Sequence, residues 1–160
     1  MEKDDSLKKN MTKVKLNDGS NSNAKKGSSD SDDFINICSW NINGLRAVNG
    51  RGDLKNYLLG QNIDILCLNE TKIDAVALDK LNDLTFIPKE YQQIWNCSKD
   101  KKGYSGVAIF SKIKPLSVVH DIGKSKHDRE GRTLTIEYEK FYLVSCYVPN
   151  AGQKLEYFFS

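Results

Sequence analysis

Short apolar runs separated by polar turns dominate the chain from residue 34 onward. Residues 63–68 are mostly branched and apolar without helical spacing, a pattern typical of a strand buried on both faces. Residues 34–40 have the β-branched and aromatic content of another strand, which turn-forming residues 41–44 end. Between these strands, three apolar residues at helical spacing predict a short amphipathic helix with Asp53 as its N-cap: Leu54, Tyr57 and Leu58. The pattern therefore predicts a β-α-β unit.

The rest of the chain predicts one helix and a series of strands. Residues 75–84 indicate a helix or helical loop, and five further apolar stretches indicate strands, at 91–97, 105–110, 116–119, 133–138 and 141–148. The alternation in residues 133–136 and the tight connection at Glu139 and Lys140 favour antiparallel hairpins. Together these elements predict a layered α/β domain.

Polar side chains follow three of the predicted strands at the points where they end. Glu70 follows the most apolar strand, Asn41 and Asn43 follow the first, and residues 147–152 follow the last. The carboxyl end of a strand is the usual place for a ligand site in α/β sheets, so these groups are candidates for one shared site. A solvated Glu-Thr-Lys turn is the alternative that the spacing around Glu70 leaves open.

Composition divides the chain in two. Residues 1–33 are mainly Lys, Asp, Ser, Asn and Gly, with almost nothing to bury, and predict a disordered polar tail. Residues 34–160 then form the domain. Because the tail has equal numbers of basic and acidic residues, the net charge of +3 belongs to residues 34–160. This mild excess is compatible with a phosphate-rich partner.

Other features limit the classes of protein. No stretch resembles a secretory signal or a membrane span, so we expect a protein that is neither secreted nor membrane-bound. Four cysteines are widely spaced without a C-x-x-C pair, which favours reduced intracellular thiols over a zinc site or a disulfide framework. The basic loop at 99–104 ends in Tyr104, a combination that suits nucleic acid as well as an ordinary solvated hairpin loop. His120 and His127 lie in charged loops and receive no role.

Five stretches together carry a family resemblance. They are CSWNINGLR (38–46), LNETK (68–72), GYSGV (103–107), EGR (130–132) and YVPNAG (147–152). In this order they resemble the exonuclease III type of apurinic/apyrimidinic endonuclease, within the endonuclease/exonuclease/phosphatase superfamily. The resemblance implies a four-layer α/β sandwich, with two sheets face to face and helices outside. It also implies hydrolysis of DNA on the 5′ side of an abasic site, in base-excision repair.

The same resemblance implies a metal site. Glu70 matches the family's metal-binding glutamate, and Mg²⁺, with Mn²⁺ as a substitute, suits phosphodiester hydrolysis. Asn41 matches the family's asparagine beside that metal, a metal-site and catalytic residue that orients the metal's ligands or the catalytic carboxylate. Asn43 stands where the family usually has Asp, so one negative charge is missing and a metal interaction there is weakened.

Further matches concern phosphate and DNA. Tyr147 and Asn150 match catalytic residues that donate hydrogen bonds to the phosphate. Four residues lie in stretches that the family uses to hold the DNA backbone or shape the site: Arg46, Lys72, Tyr104 and Arg132. For Arg132 a structural ion pair is the equal alternative.

The resemblance covers about the first half of the family's catalytic domain, from residue 34 to about 157. Its later Gly-Asp-x-Asn and Ser-Asp-His motifs, which supply the base and a phosphate-binding His, are not found in the 160 residues. We therefore expect little nuclease activity from this chain alone. A non-catalytic DNA-binding or regulatory fragment is the alternative function, and another phosphoesterase of the superfamily is disfavoured. The expected partners are double-stranded DNA with abasic sites and other repair proteins. The expected location is the nucleus, with the mitochondrion and the cytoplasm as alternatives.

Overall fold

A computed structural model of the protein describes residues 9–16, 34–81 and 86–150. Within these segments the chain forms the following strands and helices: β1 (Lys9–Lys15), β2 (Phe34–Asn41), α1 (Leu45–Gly50), α2 (Asp53–Gly60), β3 (Ile65–Asn69), α3 (Ala75–Lys80), β4 (Gln92–Asn96), β5 (Val107–Ser111), β6 (Ser117–His120), β7 (Thr133–Glu137) and β8 (Tyr142–Cys146). None of the described helices is long and apolar enough to span a membrane.

The first sheet has five strands in the order β1-β2-β3-β5-β4. Strands β2 and β3 are parallel, with Ile37 opposite Ile65 and Asn41 opposite Asn69, whereas the other neighbours are antiparallel. This confirms the predicted β-α-β unit, since α1 and α2 connect β2 to β3. The parallel register brings the carboxyl ends of β2 and β3 to the same edge of the sheet.

Both faces of this sheet are covered. Alternate residues of β2 and β3, such as Trp40 and Leu66, pack with Leu45 and Leu54 of the helices in one core. The second sheet, in the order β6-β7-β8, covers the opposite face. Strand β3 has four successive buried residues, as its unbroken apolar pattern predicted.

The second core lies between the two sheets. Ile65, Val107 and Ile109 of the first sheet pack there with Leu134 and Ile136 of β7. Burying each of these side chains favours folding by roughly 1.5–3 kcal/mol, so both cores hold β3 and β5 firmly. The α/β class is confirmed, and helices, first sheet and second sheet provide three layers of the implied sandwich.

Three local predictions need correction. Residues Lys9–Lys15, expected within a disordered tail, form β1 against the edge of β2. Lysine at one end of β1 lies over two aromatic rings, with Lys9 Nζ 4.2 Å from the Trp40 ring centroid, a favourable contact that composition does not reveal. The remainder of residues 1–33 lies outside the described residues.

The other two corrections concern helices. The N-cap of α2 is Gly52 in the left-handed conformation, and Asp53 is the first helical residue, with its carboxylate bound to Arg51. The predicted helix at 75–84 ends at Lys80, where Leu81 leaves the helical conformation. Residues 82–85 lie outside the described part of the chain.

Candidate active site

Three loops meet beyond the carboxyl ends of β2 and β3. Hydrogen bonds join the loop after β2 to the loop after β3, from Gly44 N to Glu70 O (2.8 Å) and from Leu45 N to Thr71 O (2.8 Å). The loop before β5 joins them, with Thr71 N donating to Gly106 O at 3.0 Å. These backbone hydrogen bonds continue the pairing of the strands into the three loops. They hold the loop backbones, and with them the polar side chains, in place.

The loops contain several residues in the left-handed backbone region. Asn43, Glu70 and Lys72 have φ values of 47°, 55° and 49°. For side chains other than glycine this conformation costs about 1–2 kcal/mol per residue. Such strain is concentrated at functional sites, where the surrounding structure holds it in place.

Glu70 is the centre of the side-chain cluster. Its Oε1 accepts hydrogen bonds from Asn41 Nδ2 at 2.8 Å and from Tyr147 Oη at 3.0 Å, and its Oε2 is 3.0 Å from Lys72 Nζ. Lys72 Nζ also donates to Asn43 Oδ1, while Asn41 Oδ1 accepts from the backbone N–H of Asn43 at 3.1 Å. The carboxylate is thus held by three side chains from three separate segments.

These contacts keep Glu70 ionised. Burial of the carboxylate, whose side chain is 19% exposed, would raise its pKa. Hydrogen bonds from Asn41, Lys72 and Tyr147, together with the Lys72 charge, outweigh this effect and lower the Glu70 pKa below its ordinary value. Glu70 is therefore a carboxylate throughout the physiological range.

Tyr147 is held from its other side by an arginine. Arg132 lies 5.1 Å from the Tyr147 ring centroid and 5.6 Å from that of Tyr104, and its Nη2 donates to Tyr104 Oη at 2.9 Å. Glu130 forms an ion pair with the same guanidinium. Only 14% of the Arg132 side chain is exposed, so this arginine braces the two tyrosines.

The phenol of Tyr147 stays protonated at neutral pH. Burial raises its pKa first, the hydrogen bond to Glu70 and the Glu70 charge raise it further, and together they outweigh Arg132 to give a value of about 12. The hydroxyl is consequently a hydrogen-bond donor across the physiological range.

A cavity of about 510 Å³ opens over this cluster. Asn41, Asn43, Glu70 and Tyr147 line it together with Val148, Pro149 and Asn150 of the segment after β8. Among the described residues, Glu70 is the one carboxylate in this lining. The cavity is large enough for a phosphate and part of its substituents.

The donor set fits a hard cation. Glu70 offers carboxylate oxygens and Asn43 an amide oxygen, and the ammonium of Lys72 already bridges Glu70 Oε2 and Asn43 Oδ1. The oxygens therefore attract positive charge at this position. Described residues form no cluster of three or more His, Cys, Asp or Glu, so a metal held here would rely on water for its remaining ligands, as Mg²⁺ commonly does.

The structure brings together most of the predicted site residues. Asn41, Asn43, Glu70, Tyr147 and Asn150 line one cavity. Lys72, predicted to hold DNA or shape the site, forms an ion pair with Glu70. The ion pair left open for Arg132 is present with Glu130. Arg46 lies outside the cavity lining, on a separate pocket.

The contacts that lead from Glu130 through Arg132 and Tyr147 to Glu70 were not predicted from the sequence. Arg132 was a candidate because it lies in the EGR stretch, but no spacing rule relates residues 130–132 to residue 147. The sequence did predict antiparallel hairpins in this region, and that pairing could have brought the two residues together. Arg132 precedes β7, Tyr147 follows β8, and in the β7–β8 pair Tyr147 N donates to Arg132 O at 2.8 Å.

At the end of the first sheet, which packs on a second sheet, a carboxylate is held by amide, phenol and ammonium groups. This arrangement is suited to a phosphoester substrate. Residues 38–158 match the Endonuclease/Exonuclease/phosphatase family, and the chain belongs to this family. Its relatives in this family include hydrolases of DNA, by their names.

Two relatives and one solved structure illustrate which members of the family the chain is similar to. The chain is similar to an exodeoxyribonuclease of Bacillus subtilis (43% identity over 122 residues, covering 76% of this chain and 46% of the relative). It is also similar to the DNA repair nuclease APEX1 of Danio rerio (46% identity over 121 residues, covering 76% and 38%). Among solved structures, an AP endonuclease from Leishmania major matches with a TM-score of 0.61 and 26% identity, over 76% of this chain and 42% of that one. The chain thus spans less than half the length of these relatives.

Proposed function

We propose that the protein acts in base-excision repair as an apurinic/apyrimidinic endonuclease, which hydrolyses the phosphodiester bond 5′ to an abasic site in DNA with the help of Mg²⁺. The observation that carries this proposal is the convergence of Asn41, Glu70, Tyr147 and Asn150 on one cavity, in a chain 43–46% identical to named DNA nucleases. The relatives' names support the DNA substrate and the repair role, and the residues that line the cavity support the hydrolysis of a phosphodiester.

Glu70 and Asn43 would hold the metal. Nucleases of this family generally depend on a divalent metal ion. Held there, Mg²⁺ or Mn²⁺ would supply positive charge that offsets the negative charge on the scissile phosphate and on the leaving oxygen. Asn41 keeps the Glu70 carboxylate in one orientation by its hydrogen bond to Oε1. Asn43 contributes a neutral oxygen in place of a carboxylate, which predicts weak affinity for the metal.

Tyr147 and Asn150 would bind the phosphate. The Tyr147 hydroxyl is protonated at neutral pH and already donates to an anionic oxygen, that of Glu70. A phosphate oxygen in the cavity is an equivalent acceptor, and the Asn150 amide adds further donors on the same wall. Fixed donors of this kind stabilise the charge that develops on phosphate oxygens during hydrolysis.

The abasic substrate is consistent with an open cavity of this size. A nucleotide without a base has no stacking to lose and enters an active-site pocket at low cost. Double-stranded DNA is thus the proposed partner, and Arg46 and the loop that ends in Tyr104 would contact it. Lys72 and Arg132 would act through their contacts with Glu70 and Tyr147. Other repair proteins as partners and a nuclear location belong to the same proposal.

A second candidate is a non-catalytic DNA-binding or regulatory role. It is favoured by one observation: among the described residues, the cavity has no carboxylate or histidine besides Glu70, whose lowered pKa makes it a weak base. Activation of water needs a base close to the phosphate. Slow hydrolysis by the 160-residue chain alone therefore remains our prediction.

The test is incision of a labelled duplex that contains one abasic-site analogue, with protein in excess over DNA so that one slow turnover is visible. Wild type with Mg²⁺ is compared with EDTA, with Glu70→Gln and with an intact duplex. We expect one cut 5′ to the analogue that is absent from all three controls. Glu137→Gln, which alters a hydrogen-bonded surface carboxylate on β7 outside the cavity, serves as the matched variant and should cut like wild type.

Two outcomes would contradict the proposal. Cutting that persists in Glu70→Gln or in EDTA would exclude the proposed site. Tight binding of the duplex by folded wild type, with no cutting above the Glu70→Gln level, would favour the non-catalytic role.

A further inference from the structure

Asn43 is followed by Gly44, and the sequence contains one other Asn-Gly pair, Asn49 and Gly50. An asparagine before glycine readily loses its side-chain amide, because the next backbone nitrogen is not shielded by a side chain and can attack the amide carbon. Asn43 lies in the loop between β2 and α1, and it is exposed. Since Asn43 also lines the active-site cavity, a reaction there would change the chemistry of the site.

The ammonium of Lys72 activates the side-chain amide of Asn43. Lys72 Nζ donates to Asn43 Oδ1, and it lies 3.0 Å from Glu70 Oε2. Attack on the amide carbon moves negative charge onto Oδ1. A cation that is already bonded to this oxygen stabilises the charge as it develops. The contact with Lys72 therefore lowers the barrier to attack at Asn43.

The backbone of the pair is strained but hydrogen-bonded. Asn43 has a φ of 47° and Gly44 a φ of 113°, so both are in the left-handed region, which is unfavourable for asparagine. The Gly44 N–H donates to Glu70 O at 2.8 Å and has to leave this bond before its nitrogen can attack. Local opening of this kind occurs in folded proteins without global unfolding. The reaction is therefore slow, and opening of the loop limits it.

The second pair is an internal comparison with the same sequence. Asn49 lies in α1 and Gly50 is the last residue of that helix. The backbone hydrogen bonds of a helix hold the nitrogen of Gly50, which is the atom that would attack. Asn43 thus combines exposure, a strained loop and a bound cation, whereas Asn49 is in regular structure.

We propose that Asn43 is a site of spontaneous deamidation, which converts it to aspartate or isoaspartate within the active-site loop. Gly44 N loses its proton to hydroxide and bonds to Asn43 Cγ. The Cγ–Nδ2 bond then breaks, and Nδ2 leaves as ammonia with a proton taken from water. Water opens the resulting succinimide ring. Attack at Cγ gives a side-chain carboxylate on a normal backbone, and attack at the backbone carbonyl carbon gives isoaspartate.

The two products differ in their effect on the site. Aspartate at position 43 adds a second carboxylate to a cavity lining that contains Glu70, so a divalent cation is attracted more strongly. Isoaspartate adds a methylene group to the backbone, which displaces the Gly44 N–H from Glu70 O. The effect on a metal rests on the proposed function, whereas the deamidation itself does not.

The test follows the full chain by peptide mass spectrometry during incubation at mildly alkaline pH. The mass gained when NH₂ is replaced by OH locates the reaction, and electron-transfer fragmentation separates aspartate from isoaspartate. Wild type is compared with Lys72→Met and Lys72→Arg, and Asn49 is the reference residue in every sample. Each rate is divided by the rate of the same residue in urea, where the folded contacts are absent. Thermal unfolding establishes that both variants are folded.

We expect Asn43 to react faster than Asn49 in folded wild type. Lys72→Met should slow the reaction of Asn43 about tenfold and leave Asn49 unchanged, because one stabilising donor is lost at a partly exposed position. Lys72→Arg keeps a cation near Oδ1 and should retain most of the rate. Reaction of Asn43 no faster than that of Asn49, or a rate that is unchanged or higher in folded Lys72→Met, would overturn the inference.

Mn²⁺ binding separates a failure of this inference from a failure of the proposed function. The aspartate form is isolated by ion-exchange chromatography after incubation, and its affinity for Mn²⁺ is compared with that of unreacted protein. If Asn43 reacts as expected but the affinity does not rise, the deamidation site stands and the proposed metal site fails. If Asn43 does not react while Glu70-dependent incision is observed, the deamidation site fails and the proposed function stands.

Discussion

Removing one oxygen from the site tests how Glu70 is held. Tyr147→Phe deletes the hydroxyl that donates to Glu70 Oε1 at 3.0 Å and leaves the ring beside Arg132. A hydrogen bond of this kind contributes about 1 kcal/mol net to stability, which corresponds to about 2–4 °C in melting temperature for a chain of this size. The hydroxyl lowers the Glu70 pKa, so its removal should raise that pKa towards the ordinary value.

The pH dependence gives the sign of the effect. A carboxyl whose pKa is lowered by folding stabilises the protein above its unfolded pKa, and this stabilisation is lost as the pH falls through the folded pKa. The deficit of Tyr147→Phe should therefore be largest at neutral pH and shrink in acid. Thermal unfolding between neutral and acidic pH measures it, and NMR of ¹³C-labelled glutamate carboxyls reports the Glu70 pKa directly.

Tyr142→Phe is the matched control. Tyr142 also donates to a glutamate, Glu137 Oε1 at 2.8 Å, but its side chain is 68% exposed and that carboxylate is in solvent. Solvent screening leaves little stability in such a bond. If Tyr147→Phe and Tyr142→Phe lose the same small amount at every pH, or if the Glu70 pKa does not change, the reasoning about the buried cluster is wrong.

Three further predictions concern metal affinity and stability. Asn43→Asp should raise the affinity for Mn²⁺ about tenfold, because it adds a second carboxylate near Glu70. Electron paramagnetic resonance of free Mn²⁺ measures this affinity, and an unchanged value would contradict the prediction. Arg132→Lys should lower the unfolding free energy by about 1–3 kcal/mol in urea titrations, because a lysine cannot make the same bonds; wild-type stability would refute the brace. Gly131→Ala should cost about 3 kcal/mol or more, since a Cβ there would lie 2.6 Å from the Asn96 carbonyl oxygen. Gly123→Ala, at a similar φ with open space around it, should cost only about 1 kcal/mol, and equal losses would contradict this packing.

Elements with a strong periodic pattern were predictable from the sequence. Strand β3 is buried on both faces because its apolar run has no polar interruption, and β2 and β7 alternate as their sequences do. Glu70 and Asn41 were placed together correctly because two parallel neighbouring strands end at the same edge. That inference needed only the order of the elements and the exit residues.

Contacts between side chains distant in the chain were not predictable in this way. The place of Lys72 in a motif gave no indication that its ammonium binds Glu70 and Asn43, in a loop where Glu70 and Lys72 both have left-handed backbone conformations. Strand β1 is polar, and its composition favours disorder; its pairing with β2 depends on an available sheet edge. Such tertiary contacts override local propensity.

We propose that the Glu70 carboxylate, held by Asn41, Lys72 and Tyr147, is a metal ligand. Its most direct test is Mn²⁺ binding by electron paramagnetic resonance to wild type, Glu70→Gln and Glu137→Gln, where Glu137 is an exposed carboxylate with two hydrogen-bond donors of its own. We predict that wild type and Glu137→Gln bind Mn²⁺ alike and that Glu70→Gln, still folded, does not bind it. Equal binding by all three proteins, or none by folded wild type, would contradict the claim.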